Sequence, residues 1–333
     1  MDPCLLSIVG NKRDSHIVNQ LSLAAETLKI KHELIDTNNA FIGNKILRKV
    51  LWKMFKIPIN LKTFSKTVVE RVTNNKSQIL ITTGTAPLNF FGLKRLSEKK
   101  VISINYSTDD PWNTAHRAHW FFKAIKEYDK IFSTRKANLE QFTKLGAEAA
   151  YLPFGYNPMT YYINEPCVNT AEEAQAVFFA GACDHDRKGI FKHLLYHKIP
   201  LSLWGGFWEK YGLESGGLLD SANIRAKTAR CMVSLVLVRR ANRDGSAMRS
   251  FEIPACGACC VAEDTEEHRE LYGPDGEAVL YFKTPEELVR RVKEAFGNPE
   301  LRARLRRNAH RAITGKPNTY TDRLKTMLQR LEE

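Results

Sequence analysis

CMVSLVLVRRANRDGSAMRSFEIPACG, residues 231–257, joins an apolar run to a basic loop and then to a helical segment. The unbroken aliphatic run over 231–238 has the pattern of a strand buried on both faces, as in parallel sheets covered by helices. Residues 247–256 read as a helix, and CCVAE (259–263) as the next strand, so the stretch is a βαβ unit. The same rhythm repeats outward. AVFFAG (176–181), LSLWGG (201–206) and AVLYF (278–282) read as strands, with helices over 188–198, 285–296, 300–313 and 320–331. Toward the N-terminus, LLSIVG (5–10), HELIDT (32–37), QILITTG (78–84), VISINYS (101–107), KIFSTR (130–135) and AYLPFG (150–155) read as strands. Helical periods fall over 15–29, 41–55, 61–74, 113–126 and 137–145. Residues 159–174 carry no clean period and read as a linker. The organisation is therefore an N-terminal domain (1–158), a linker (159–174) and a C-terminal domain (175–333). Two open α/β domains of this kind imply a cleft where strand C-terminal ends converge.

The 333 residues suit two domains of about 100–200 each. With 43% hydrophobic and 26% charged residues, the chain can bury cores, which excludes global disorder. Charges interrupt every apolar run before the roughly 18 residues that a membrane-spanning helix needs. The start, MDPCLLSIVGNKRD, lacks a basic leader and a long apolar core, so export is not expected. Seven dispersed cysteines suit a reducing compartment, and the expectation is a soluble cytoplasmic protein.

The net charge of +13 is unevenly placed. Lys45, Arg48, Lys49, Lys53, Lys56, Lys62, Lys66, Arg71 and Lys76 are opposed by Glu70 alone. Such a patch attracts phosphate-bearing partners, or is a solvated helix face. Residues 1–200 hold 21 Lys and 7 Arg, whereas 201–333 hold 6 Lys and 16 Arg. On solvated surfaces the two are nearly interchangeable, so the switch suggests halves of different coding history.

The densest candidate cluster is the loop from Arg239 to Gly257. A glycine-containing loop at a helix start offers free N–H groups to a phosphate. Glu252, about one turn into the helix, can accept from the vicinal hydroxyls of a ribose, and Asp244 lies eight residues earlier. Arg243, Arg249, Ser250 and Phe251 complete the donor-binding set. Strand, basic loop, acidic residue, seven residues, Glu and then FEIPACG resembles the C-terminal domain of GT-B glycosyltransferases of the retaining "group 1" superfamily, nearest the spore-maturation CgeB-like branch. The family pattern is Glu, seven residues, Glu; here Asp244 stands at the first Glu and Glu252 matches the second. The resemblance implies that Glu252 holds the nucleotide ribose and that Asp244 approaches the donor sugar. FFAGACDHDRKG (178–189) is similar to the family's strand–Gly–basic segment, which implies Arg187 and Lys188 as the clamp on the donor diphosphate beside Gly181. INYSTDDPW (104–112) and LPFGYNP (152–158) resemble the N-terminal cleft edge and the crossover of CgeB-like proteins, and TYTDRLKTML (319–328) their closing helix.

Each motif has a plainer reading. Arg187 and Lys188 could be ordinary residues at a helix start. Asp109–Asp110 resembles a metal-holding carboxylate pair but could cap the helix after Pro111. Cys256, Cys259 and Cys260 lack a second pair at zinc spacing and read as small buried thiols. His116/His119 and His193/His197 have no carboxylate in register. Gly10 with Asn11-Lys12-Arg13 lacks a full dinucleotide fingerprint, and with Asp109 and Asp110 is assigned to the acceptor-side cleft.

The expectation is a two-domain, Rossmann-like GT-B glycosyltransferase. It would move a sugar from a nucleotide-diphosphate donor to an unidentified acceptor without metal or cofactor, with the donor on the C-terminal domain. A sugar-nucleotide epimerase and a non-catalytic nucleotide- or polyanion-binding protein are the rivals; no specific nucleic-acid partner is expected. Finally, residues 41–64 read as an amphipathic segment. Plotted at about 100° per residue, 47, 50, 51, 54 and 55 share one face and 45, 49, 52, 53 and 56 turn toward the other. This segment is either an ordinary helix whose apolar face is core, or a surface that docks on anionic membrane or captures a phosphate-bearing acceptor.

Overall fold

The structure, a computed structural model, describes residues 5–12, 16–163 and 175–331. Residues 164–174 of the expected linker, Arg13 of the Gly10 turn and Ser15 at the expected helix start lie outside the described residues.

The chain first alternates β1 (Leu6–Gly10), α1 (Ile17–Thr27), β2 (His32–Asp36), α2 (Lys45–Phe55), α3 (Leu61–Asn74), β3 (Ile79–Thr83), α4 (Phe90–Glu98) and β4 (Ile102–Ser107). It continues with α5 (His119–Ile125), β5 (Lys130–Ser133), α6 (Leu139–Lys144) and β6 (Ala149–Tyr151). These strands form one parallel sheet in the order β2-β1-β3-β4-β5-β6, with Ile8 registered against both Leu34 and Ile81. β1 is buried along its whole length, as a central strand covered on both faces must be. α1 lays Ile17, Val18, Leu21, Ala24 and Ala25 inward at helical spacing.

A second alternation succeeds it: β7 (Val177–Ala180), α7 (His185–Tyr196), β8 (Leu201–Trp204), α8 (Ser221–Arg230), β9 (Val233–Val236), α9 (Arg249–Ala255) and β10 (Cys260–Glu263). It closes with α10 (Glu266–Tyr272), β11 (Leu280–Phe282), α11 (Pro285–Gly297), α12 (Pro299–Thr314) and α13 (Tyr320–Gln329). The five strands pair in parallel as β11-β10-β9-β7-β8. Both sheets are Rossmann-like, open and covered by helices. Caps set the helix starts: Thr284 accepts from Glu287 N ahead of Pro285, and Asn298 accepts from Leu301 N ahead of Pro299.

By contacts, the chain divides into two compact units. Unit 1 comprises Met1–Pro153, Ala241–Asp244 and Tyr320–Glu333; unit 2 comprises Phe154–Arg240 and Gly245–Thr319. The last helix, α13, packs on α1 of unit 1, although sequence order alone assigns it to the C-terminal domain. Its buried Leu324 and Met327 complete a core there.

Every expected strand is present, within a residue or two at either end, except that the one expected over 150–155 is the three-residue Ala149–Tyr151 and ends four residues early. Three helices that periodicity does not mark are α4, α8 and α10. α4 carries Gly92 inside it, where an added Cβ would meet Leu88 at 2.9 Å. α8 buries only Ser221, Ile224 and Thr228, too few apolar positions to show a stripe. α10 is seven residues long and held by its Thr265 cap. The expected helix over 41–55 begins only at Lys45, because Thr37–Phe41 is a 3-10 turn and Asn44 is the N-cap of α2. None of α2 is buried, so the reading of its apolar face as core does not hold.

Candidate functional site

In unit 2 the C-terminal ends of β7 and β9 gather most of the donor-side residues. β7 runs into Gly181, where an added Cβ would lie 2.8 Å from the Phe179 ring, so the turn is too tight for a side chain. Asp184 then caps α7 by accepting from Arg187 N at 2.9 Å. The Arg187 side chain turns inward. Its Nη1 donates to Ala182 O at 2.9 Å and its Nη2 faces Val238 O at 3.3 Å and Leu237 O at 3.4 Å. The guanidinium also lies 5.3 Å from the Phe179 ring centroid. Arg187 thus ties the β7 loop to the end of β9. Lys188 is half-buried, 5.9 Å from the Tyr211 ring, and Arg239 stands 4.0 Å from the Asp184 carboxylate.

After β9, Glu263 organises the loop from the far side: its carboxylate accepts from Val238 N at 3.0 Å and from Arg240 Nε at 2.8 Å. α9 then places Arg249 and Glu252 one turn apart. Arg249 donates through Nε to Ala180 O at 3.3 Å and through Nη1 to Glu252 Oε2. Glu252 is sealed from solvent, and its Oε1 has no hydrogen-bond partner. The Tyr161 hydroxyl approaches the carboxyl but directs its own proton to Ser221 Oγ at 3.3 Å. Burial raises the Glu252 pKa above the ordinary carboxylate value, and the Arg249 charge works against that rise. The unpaired oxygen is the anomaly here, since buried acceptors are almost always satisfied.

Ser250 and Phe251 are placed differently from Glu252. Phe251 is core. Ser250 Oγ accepts from Ala247 N at 2.9 Å and lies 2.8 Å from His268 Nε2. His268 Nδ1 is 2.7 Å from Glu263 O, which can only accept, so the proton sits on Nδ1 and Ser250 donates to Nε2. Burial pushes the His268 pKa down to about 4. The nearby Cys256, Cys259 and Cys260 are buried free thiols, with Cys256 pushed up to about 12 and Cys259 to about 11 by desolvation. Among the described residues no group of three His, Cys, Asp or Glu could hold a metal ion.

Unit 1 holds the remaining candidates. Gly10 ends β1 where an added Cβ would lie 2.3 Å from Thr83 Oγ1 and 3.0 Å from Val18 Cβ, so close packing demands it. Asp109 is half-buried, whereas Asp110 is fully buried. Asp110 accepts from Trp112 N at 2.9 Å in a local turn and not as a helix cap, because the next helix begins only at His119. It also binds Arg243 as a bidentate pair, at 2.7 and 3.0 Å. Arg243 adopts a left-handed φ of 52° to make it. Next to it, Asp244 accepts from Arg135 Nε, and Arg135 is anchored to Thr108 O at 2.6 Å. Asn242 accepts from Asn113 at 2.6 Å. Three consecutive loop residues are therefore all held by unit 1.

Gly181, Arg187, Arg249 and Glu252 are thus brought together in unit 2, and Asp110, Arg243, Asp244 and Arg135 in unit 1. Sequence reasoning missed Tyr161, Arg135, Glu263 and His268. Arg135 and Glu263 are each the last residue of an expected strand and so sit at a strand's C-terminal end, a signal that was readable. The other two reach the site only through the folded chain.

Comparison with known proteins agrees with this architecture. Residues 187–329 match a family model described as Glycosyl transferase-like. No curated protein matches the chain. Among solved structures, sucrose-phosphate synthase from Thermosynechococcus elongatus is similar, with TM-score 0.67 and 12% identity over 98% of each chain. HepE from Anabaena, in complex with UDP and glucose, gives 0.66 and 12% over 98% of this chain and 99% of that one. A Listeria monocytogenes structure assigned as a UDP-N-acetylglucosamine 2-epimerase gives 0.58 and 13%, covering 100% and 97%. The two parallel-sheet domains are those of a GT-B fold.

Proposed function

We propose that this protein is a glycosyltransferase that moves a sugar from a nucleotide-diphosphate donor to an acceptor, with unit 2 binding the donor and unit 1 the acceptor. The observation that carries the reading is Glu252. Its buried Oε1 accepts no well-formed hydrogen bond, with the Tyr161 hydroxyl beside it directed to Ser221, it lies within the stretch similar to glycosyl transferases, and a ribose hydroxyl admitted by local opening of the site would satisfy the orphaned acceptor. UDP is the first nucleotide to try, because HepE binds UDP with glucose; by the same likeness the sugar is a hexose. The motif order resembles that of the CgeB-like branch, and this resemblance supports retention of anomeric configuration as the expected outcome.

In the reaction the anomeric carbon–oxygen bond to the diphosphate breaks and a bond to the acceptor oxygen forms. The acceptor proton leaves with the diphosphate. The half-exposed Lys188 would stabilise charge on the leaving diphosphate; Arg187, tied to three carbonyls, would act by positioning that loop. Asp244, oriented by Arg135, would face the donor sugar. Charge stabilisation by side-chain cations makes turnover survive EDTA in this reading.

Glu252→Gln is expected to weaken UDP binding by about 1–3 kcal/mol, since a neutral amide replaces the charged acceptor. Calorimetry giving unchanged affinity on a folded variant removes Glu252 from the site. The likeness to the Listeria structure favours epimerisation as a second reading. Conversion of the sugar nucleotide without any acceptor, followed by NMR, would establish it instead.

A further inference from the structure

α2 is the part of the molecule for which the proposed activity has no use. None of its residues is buried, and Ile46 and Met54 are 76% and 67% exposed, with Leu47, Val50 and Phe55 exposed beside them. The helix is nevertheless well attached. Trp52 packs on Phe41 with ring centroids 5.5 Å apart, and Trp120 Nε1 donates to Lys56 O, just past the helix end, at 2.8 Å. Leu51 and Trp52 face unit 1 half-buried. At roughly 100° per residue, Lys45, Lys49 and Lys53 span about 80° of the opposite, outer half. Ile46, Val50, Met54 and Leu47 take the next ~100°. A cationic stripe and an apolar stripe therefore lie side by side on solvent. A recess of about 750 Å³ adjoins them, lined by Met54, Phe55, Ile57 and Trp120 together with Arg117 and Lys123.

We propose that this face of α2 docks on the surface of an anionic lipid bilayer. Charge selects that occupant. Lys45–Lys76 carries nine basic residues and one acidic residue, and that acid, Glu70, is already paired with Lys66. A second copy would oppose lysine with lysine in a two-fold contact. A bilayer supplies both chemistries at once: anionic headgroups for Lys45, Lys49 and Lys53, and the acyl boundary for Ile46, Val50 and Met54. The proposal uses no residue of the donor site, so it stands or falls apart from the transferase reading.

The test is co-sedimentation of the full chain with phosphatidylcholine vesicles and with vesicles that also contain phosphatidylglycerol. Binding is expected only to the anionic vesicles at low salt, with release at high salt. The K45E/K49E/K53E variant should partition roughly a hundredfold more weakly. A V50S/M54S variant, which changes no charge, should also lose binding, which a purely electrostatic contact would not. All five positions are exposed, so neither variant disturbs the core. Equal recovery with neutral and anionic vesicles, or undiminished binding of either variant, overturns the proposal. A lipid-free dimer abolished by V50S/M54S would also overturn it, by assigning the face to a second copy.

Discussion

α2 and α12 look alike as sequence and behave oppositely. Both alternate aliphatic residues with cations at helical spacing. α12 buries Leu301, Leu305, Ala309 and Ile313, while α2 buries nothing. Their cations differ as well. In α12, Arg302 donates to Ala295 O at 2.7 Å and Phe296 O at 2.8 Å, the carbonyls at the end of α11. The lysines of α2 carry no comparable tie to the fold among the contacts described. Periodicity thus reports that a helix has two faces, and says nothing of what the apolar one meets. The same contrast bears on the Lys-to-Arg switch along the chain. Arg225, Arg249, Arg291 and Arg302, all in the arginine-rich stretch, donate to backbone carbonyls. A planar multi-donor fork does this better than an ammonium, so part of the asymmetry has a physical cause.

The contrast breaks most easily at paired positions. Leu305→Ala should cost about 2–5 kcal/mol in urea unfolding, because Leu305 is wholly buried. Val50→Ala should stay within about 0.5 kcal/mol. Equal costs would mean that α2 is covered in solution.

Histidines give the next contrast. His268 has its pKa depressed from 6.5 to about 4 in the folded state. Neutral His268 therefore contributes stability that is present above pH 6.5 and is lost as pH falls through about 4, amounting to roughly 3 kcal/mol. Thermal unfolding should show this slope in the parent protein and lose it in His268→Phe. His185→Asn should leave it unchanged, since that side chain is 92% exposed.

Arginines give the smallest effect. Arg302→Lys should cost about 1 kcal/mol through the lost carbonyl bonds. Lys53→Arg should change nothing measurable by denaturant titration.

The strands were legible because they are short, mostly apolar runs bounded by turn residues, and β7, β9 and β10 are buried throughout. Glu252 was legible because its spacing from strand β9 and from Asp244 is local. The partners were not. Arg135 and Asp244 are 109 residues apart, Asp110 and Arg243 are 133 apart, and His268 meets Ser250 only across a folded sheet end. Ion pairs at such separation leave no mark on periodicity. The inward turn of Arg187 was equally hidden, since a basic residue at a helix start reads the same whether it faces solvent or carbonyls.

The division of the chain has a consequence for biosynthesis. The polypeptide passes from one compact unit to the other after Pro153, Arg240, Asp244 and Thr319. Neither unit is a continuous fragment, so no single proteolytic cut can release one whole. α1 emerges early, whereas α13, which packs on it, emerges only after the whole of unit 2. At ordinary translation speeds that gap is roughly fifteen to sixty seconds. Throughout it the side of α1 that meets α13 lacks that cover.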